Sequence, residues 1–176
     1  MSHSHARSCS HDDPARFTRE FWDDRYRSVD ESGRLWSGRP NAQLVAQTED
    51  LAPGEALEAG CGEGADAIWL ARQGWTVTAV DVSAVALERA AGYAAAAGDE
   101  IARRITWQRE DLLSWVPTAD RFDLVSDRFW SADAIAATLD PDRWEVVVAD
   151  APGRSATDLD GQPVTVRDTV LRARRR

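Results

Sequence analysis

The sequence predicts an α/β protein: a mostly parallel sheet with helices on both faces, finished by an antiparallel pair of strands near the C-terminus. Two observations carry this. From Glu55 onward, short apolar runs alternate with helical segments, the pattern of parallel βαβ units. Toward the end, the runs Trp144 to Ala149 and Val164 to Leu171 have no helix between them, so they can pair only as antiparallel neighbours. The length of 176 residues suits one domain, and such a domain buries roughly 70% of the surface its unfolded chain exposes. Residues 14–176 are read as that domain, preceded by a tail.

The tail, residues 1–13, holds Ser, His and Asp and almost nothing apolar, so it cannot offset its own ordering entropy and is expected to be disordered. His3, His5, Cys9 and His11 offer metal ligands on a flexible segment without a rigid site, and no metal is predicted. From Pro14 the residues Phe17, Phe21, Trp22 and Tyr26 recur at helical spacing, giving a helix to about Arg27. Val29 to Pro40 carries two glycines and a proline and reads as a loop, followed by a helix from Asn41 to Leu51. Ala56 to Ala59 is a strand; Ala65 to Gln73 is a helix closed by Gly74; Trp75 to Val80 is the next strand. Ser83 caps an alanine-rich helix that ends near Gly98. Strands at Ile105 to Arg109 and Phe122 to Ser126 flank a loop from Asp111 to Arg121. A short helix, Ala132 to Leu139, precedes the strand at Trp144, and a polar loop with Gly153 and Gly161 leads to the last strand.

Composition excludes several chemistries. All 21 basic residues are arginine, so neither a Schiff-base lysine nor a phosphate-loop lysine exists. The three histidines all precede Pro14, which removes a histidine base, a serine triad and a histidine-held zinc from the body of the chain. With Cys9 and Cys61 alone there is no disulfide framework, which fits a reducing, cytoplasmic setting. A net charge of -9 opposes binding to a nucleic-acid backbone. No apolar run reaches the roughly 20 residues of a bilayer span, and the start lacks the apolar stretch of a signal peptide, so no membrane partner is expected.

Glu58-Ala59-Gly60-Cys61-Gly62-Glu63-Gly64 lies directly between a strand and a helix. Glycines there permit positive φ and let a ligand touch the backbone. Gly60, Gly62 and Ala65, with Asp81 about 20 residues on, also satisfy a dinucleotide fingerprint. The glycines alone do not choose the ligand, and an NAD(P)-linked oxidoreductase stays open on this ground. Charge favours something else. Glu58 and Glu63 would repel a pyrophosphate, and the sequence has no basic residue nearby until Arg72. S-adenosylmethionine carries an ammonium and a sulfonium, and its ribose needs an acceptor such as Asp81. Glu110 and Asp111 end the third strand, where a carboxylate would meet the adenine amine.

The segments FWDDRYR, LWSGRPN, ALEAGCGEGADAIWLARQGWTVTAVDVSAVALERA, ITWQREDLLSW and FDLVS, over about residues 20 to 126, resemble class I S-adenosylmethionine-dependent methyltransferases of the small bacterial tellurite-resistance and thiopurine type. That resemblance implies a Rossmann-like three-layer sandwich. It places Glu58, Gly60, Gly62 and Gly64 at the methionine portion, Asp81 with Val82 at the ribose, and Asp111 with Leu112 at the adenine. Trp36 and Arg39 would approach the methionyl end, Arg39 pairing its carboxylate. Cys61 joins these positions as a small residue that fits the turn, with no base beside it to make it a nucleophile. Trp130, like Trp36, is placed to line a pocket. Transfer from a sulfonium is an in-line displacement that needs positioning more than acid-base help; for an acceptor that must lose a proton, Asp127 after the fourth strand is the candidate catalytic base.

The sequence departs from this family in one place. FDLVS is followed at once by DRFWSADAIAATLDPDRWEVVVAD, which resembles the lead into the last two strands, so about 50 residues of the usual pattern, including a fifth parallel strand, are missing and six strands are expected instead of seven. The expected function is methyl transfer to a small-molecule acceptor; the alternative is a shortened S-adenosylmethionine-binding module without catalysis. The edge left at the fourth strand should be filled by Val164 to Leu171, giving a monomer, or by strand sharing in a homodimer.

Overall fold

A computed structural model of the chain describes residues 18–30, 33–115, 122–127, 133, 136–137, 140–157, 162–167 and 170–175. Helix α1 (Arg19–Arg27) starts on Thr18, whose hydroxyl accepts from the Phe21 amide, and buries Asp23 and Tyr26 on one face. Helix α2 (Ala42–Thr48) starts on Asn41, whose side chain accepts from Gln43 N. Then follow β1 (Glu55–Ala59), α3 (Ala65–Arg72), β2 (Thr76–Asp81), α4 (Ala84–Ala97), α5 (Asp99–Arg103), β3 (Ile105–Arg109) and β4 (Leu124–Asp127). These four strands form one parallel sheet in the order β3-β2-β1-β4. The alternation of strands and helices read from the sequence is therefore borne out.

The core lies in this half. β1 and β2 are buried almost along their length, and Leu57, Leu70, Trp75, Val77 and Val80 are fully enclosed. Burying a side chain of that size contributes about 1.5–3 kcal/mol. Helices α3, α4 and α5 pack on the strands and on one another. The alanine-rich helix runs from its Ser83 cap to Ala97 as expected, and Gly98 at φ 129° turns the chain into a further short helix, α5, that the sequence reading does not include.

The C-terminal half departs further from expectation. β5 (Trp144–Asp150) pairs antiparallel with β8 (Val170–Arg175), so the predicted pair exists. However, the expected strand at 164–171 is split into β7 (Pro163–Arg167) and β8, and the supposed polar loop contains β6 (Gly153–Thr157), paired antiparallel with β7. Eight strands are present among the described residues, not six. Filling of the β4 edge by the C-terminal strand is also overturned. Both halves of that strand have other partners, and among the described residues β4 pairs with β1 alone. Of the helix expected at 132–139, the Ala137 N–H bond to the Asp133 carbonyl is described. The tail at 1–13 and Trp130 lie outside the described residues.

Candidate cofactor site

Strand β1 delivers the glycine loop to the end of β2, where three backbone contacts fasten it. The amides of Gly60 and Cys61 both donate to the Val80 carbonyl, at 2.8 and 3.0 Å. The Gly62 amide donates to Asp81 Oδ2 at 2.8 Å, and the Ser83 amide to Asp81 Oδ1 at 2.8 Å. Asp81 therefore ties the loop to the start of α4 while each oxygen keeps a lone pair for a ligand hydroxyl. It is only 7% exposed, and burial raises its carboxyl above the ordinary range against the lowering effect of the Ser83, Gly62 and Val82 amides.

Glycine is required at two points of this turn. Gly64, at φ 74°, precedes α3, and a Cβ there would stand 2.6 Å from the Trp107 ring. Gly62, at φ 52°, would place a Cβ 2.8 Å from the Tyr26 hydroxyl and 3.5 Å from Trp36 Nε1. The N-terminal segment thus lies against the loop. Cys61 is buried in the turn, and Glu58 is buried on β1 between Ala79 and Ser126.

Glu63 changes the electrostatic reading. At 3% exposure, it accepts from Arg89 Nη1 at 3.4 Å and from the Trp36 amide at 3.2 Å. Arg89 also donates to the carbonyls of Val29 and Gly33, at 2.6 and 3.3 Å. The loop carboxylate that seemed to await a cation is satisfied by an arginine 26 residues away in sequence, and the pair holds Val29, Gly33 and Trp36 against the loop. The charge argument for a cationic ligand now rests on Glu58 and Asp81.

Beyond Asp81, a cavity of about 650 Å³ opens at the ends of β2 and β3, lined by Val82, Glu110, Asp111 and Leu113, with Thr18 and Arg19 of the N-terminal segment facing them. The Glu110 amide donates to the Asp81 carbonyl at 3.2 Å, which keeps the two strand ends together. Leu113, 73% exposed, forms the apolar wall; Leu112 is half-buried beside it and does not line the space. Asp111 Oδ1 accepts from the Leu113 amide at 3.0 Å, holding the turn that presents that wall.

Trp36 joins the site: its Nε1 donates to the Tyr26 hydroxyl at 3.0 Å. Arg39 is exposed, its amide bonded to Ser37 Oγ at 3.2 Å, and its guanidinium pairs with no carboxylate among the described residues. Asp127 ends β4 opposite Ala59, one residue before the glycine loop. Of the predicted positions, the structure brings Val82, Glu110 and Asp111 to the cavity and Gly60, Cys61, Gly62, Gly64, Asp81 and Trp36 to the glycine loop beside it; it brings Leu112 and Arg39 to neither. It adds Asp23, Tyr26, Arg89 and Leu113, which sequence reasoning missed. One signal for the first two was available: Asp23 and Tyr26, three apart, share a helix face, and an acid on the face that buries apolar residues needs a partner. That partner is Ser83, whose hydroxyl donates to Asp23 Oδ1 at 2.6 Å.

These residues suit an adenosyl cofactor: a buried acceptor for a ribose, an apolar wall with carboxylates for an adenine, and a turn bare of side chains. Among the described residues, no group of three His, Cys, Asp or Glu side chains is placed to hold a metal ion, and no helix is long and apolar enough to cross a membrane.

Comparison with known proteins gives the family and the fold. The family described as a methyltransferase domain matches residues 56–151. The 2-heptyl-1-hydroxyquinolin-4(1H)-one methyltransferase of Mycobacteroides abscessus is 33% identical over 94 residues, 52% of this chain and 40% of that protein. The ribosomal RNA small subunit methyltransferase C of Alcanivorax borkumensis is 41% identical over 63 residues, 35% of this chain and 19% of that protein. The chain thus spans less than half the length of these curated relatives. Among solved structures, one for the conversion of a disulfide bond into a thioacetal group during echinomycin biosynthesis superimposes with a TM-score of 0.65 at 21% identity, covering 89% of this chain and 92% of that one. TehB from Haemophilus influenzae gives a TM-score of 0.58 at 12% identity, covering 90% and 67%.

Proposed function

The chain belongs to the methyltransferase domain family, and from that premise we propose that it moves a methyl group from S-adenosylmethionine to a small-molecule nucleophile in the cytoplasm. One observation supports this most: the buried Asp81 carboxylate, bonded to the Gly62 amide, stands between the glycine loop and the cavity at the strand ends. When bound, the cofactor supplies an electrophilic methyl on a sulfonium. Asp81 accepts from the ribose hydroxyls, Val82, Asp111 and Leu113 hold the adenine, and Gly60, Gly62 and Gly64 leave the backbone open to the methionyl portion. Glu58 supplies negative charge beneath the loop, and Arg39 approaches the methionyl carboxylate. Asp127 takes the proton of an acceptor that must lose one. Family membership displaces the oxidoreductase reading.

By their names, the two curated relatives act on a hydroxyquinolinone and on ribosomal RNA. The net charge of -9 favours the small molecule here, because a polyanion would be repelled. A second reading, cofactor binding without turnover, is favoured by β4, which has no outer neighbour among the described residues where acceptor-pocket walls would stand.

Calorimetry with S-adenosylhomocysteine tests the binding site: Asp81→Ala should weaken binding by about 1.5–3 kcal/mol, the worth of a hydrogen bond to a charged group. Unchanged affinity would sink the assignment. Incubation with labelled S-adenosylmethionine and a panel of thiols, amines and phenols then separates transfer from binding alone.

A further inference from the structure

We propose that Asp23 is a positioning residue for Asp81: by accepting the hydroxyl proton of Ser83, it keeps the Asp81 carboxylate free for the ribose hydroxyls. This rests on the S-adenosylmethionine reading above, and Asp23 itself touches no ligand in it. Asp81 accepts from the Gly62 and Ser83 amides, each at 2.8 Å, and the lone pairs left over are those a ribose can use. The Ser83 hydroxyl is three bonds from the amide already held by Asp81, so the same carboxylate is within its reach. Bonded there, it would take up a lone pair that the ribose needs. Ser83 is wholly buried, so water does not receive the proton and the protein must supply an acceptor.

Helix α1 brings that acceptor from 60 residues away. Ser83 Oγ donates to Asp23 Oδ1 at 2.6 Å, within the short range of charge-assisted O–H···O bonds. The same hydroxyl oxygen accepts from the Ala86 amide at 3.2 Å, so both of its functions are engaged and its proton is directed at Asp23. Asp23 is fixed in turn: it is 9% exposed, its Oδ1 also takes the Val85 amide at 3.4 Å, and its Oδ2 lies 3.7 Å from Arg27 Nη2 on the same helix. The two acids are neighbours, since the charge of Asp23 adds to burial in raising the Asp81 carboxyl. The serine proton therefore stands between two competing acceptors, and its seat on Asp23 leaves Asp81 open.

The test is calorimetry on the full chain with S-adenosylhomocysteine and with its 2′,3′-dideoxy form, which lacks both ribose hydroxyls. Asp23→Ala leaves the Ser83 proton to Asp81. It should raise the Kd for S-adenosylhomocysteine about ten-fold, as loss of one hydrogen bond to a charged group does, and leave that for the dideoxy form within about two-fold. Adding Ser83→Ala keeps the amide bond to Asp81 and deletes the competing proton, so the double variant should return to within about two-fold of wild type. Asp23→Asn retains an acceptor oxygen for the serine; it too should bind within about two-fold of wild type, and it serves if the double variant folds poorly. Equal losses for both ligands in Asp23→Ala would overturn the proposal by making Asp23 a packing residue of α1. An unchanged Kd in that variant overturns it too, as does a double variant no tighter than Asp23→Ala or an Asp23→Asn as weak as it. Wild-type protein that binds neither ligand, or both equally, would overturn the ribose assignment of Asp81 and this proposal with it.

Discussion

Asp81 carries two opposed demands. Its charge is needed for ribose hydroxyls, yet burial disfavours that charge in the folded chain. Because its folded pKa is raised from 3.8, the folded state holds the proton more tightly than the unfolded state does. Its favourable contribution is therefore complete below that value and is lost as pH rises through the folded pKa. The melting temperature of wild type minus that of Asp81→Asn should fall as pH increases from about 4 upward; a flat difference would show that burial does not penalise the ion. Gly62→Val is expected to abolish S-adenosylhomocysteine binding while far-UV dichroism stays near native. A valine at φ 52° is strained, and its Cβ would strike the Tyr26 hydroxyl before any ligand arrived. Retained binding in that variant would remove the loop from the site.

Helix α1 and the described residues from Gly33 to Trp36 lie against the loop. Asp23 pins the helix to Ser83 at the head of α4, and Ser83 at the same time caps α4 by accepting from Ala86 N at 3.2 Å. Arg89 pins the loop that follows, through the Val29 and Gly33 carbonyls and Glu63, and Tyr93 adds a bond to the Gly33 carbonyl at 3.2 Å. Arg89→Ala would leave Glu63 buried with the Trp36 amide as its remaining described partner. Removing one member of such a pair costs about 3 kcal/mol, which for a chain of this length lowers melting by roughly 6–12 °C. A shift within about 2 °C would mean that the N-terminal segment is not fastened through this arginine.

At the level of the whole molecule, β4 is the last strand of the parallel sheet among the described residues. The strand presents its outer edge without a described neighbour, and Val125 on it is 54% exposed. Unpaired apolar edges recruit further strands. The described C-terminal strands are engaged elsewhere, and strand sharing between two copies is the expected alternative, so sedimentation should show association that rises with concentration and falls in Val125→Lys. A concentration-independent monomer would remove that option. An open edge there would leave a bound cofactor's methyl poorly shielded from water, so turnover on small acceptors is expected to stay below roughly 1 per second despite measurable cofactor binding.

Local signals in the sequence determined the parallel half and the glycine turn of the candidate site. Strand and helix periods, the glycine turn from Gly60 to Gly64 and the acid at Asp81 are contiguous patterns, and each is set by backbone preferences within a few residues. Two errors share one cause. Glu63 looked unpaired because its partner, Arg89, lies a whole helix, a whole strand and part of a second helix away, and Tyr26 and Asp23 looked like ordinary members of a helix. Whether a side chain faces a ligand or a distant partner depends on which elements pack together, and no run of neighbouring residues records that. The C-terminal strands were misassigned for a related reason. Short strands that pair with each other, with little of a common core, leave burial patterns too weak to fix register, so only tertiary pairing decided that β6 joins β7 and β5 joins β8.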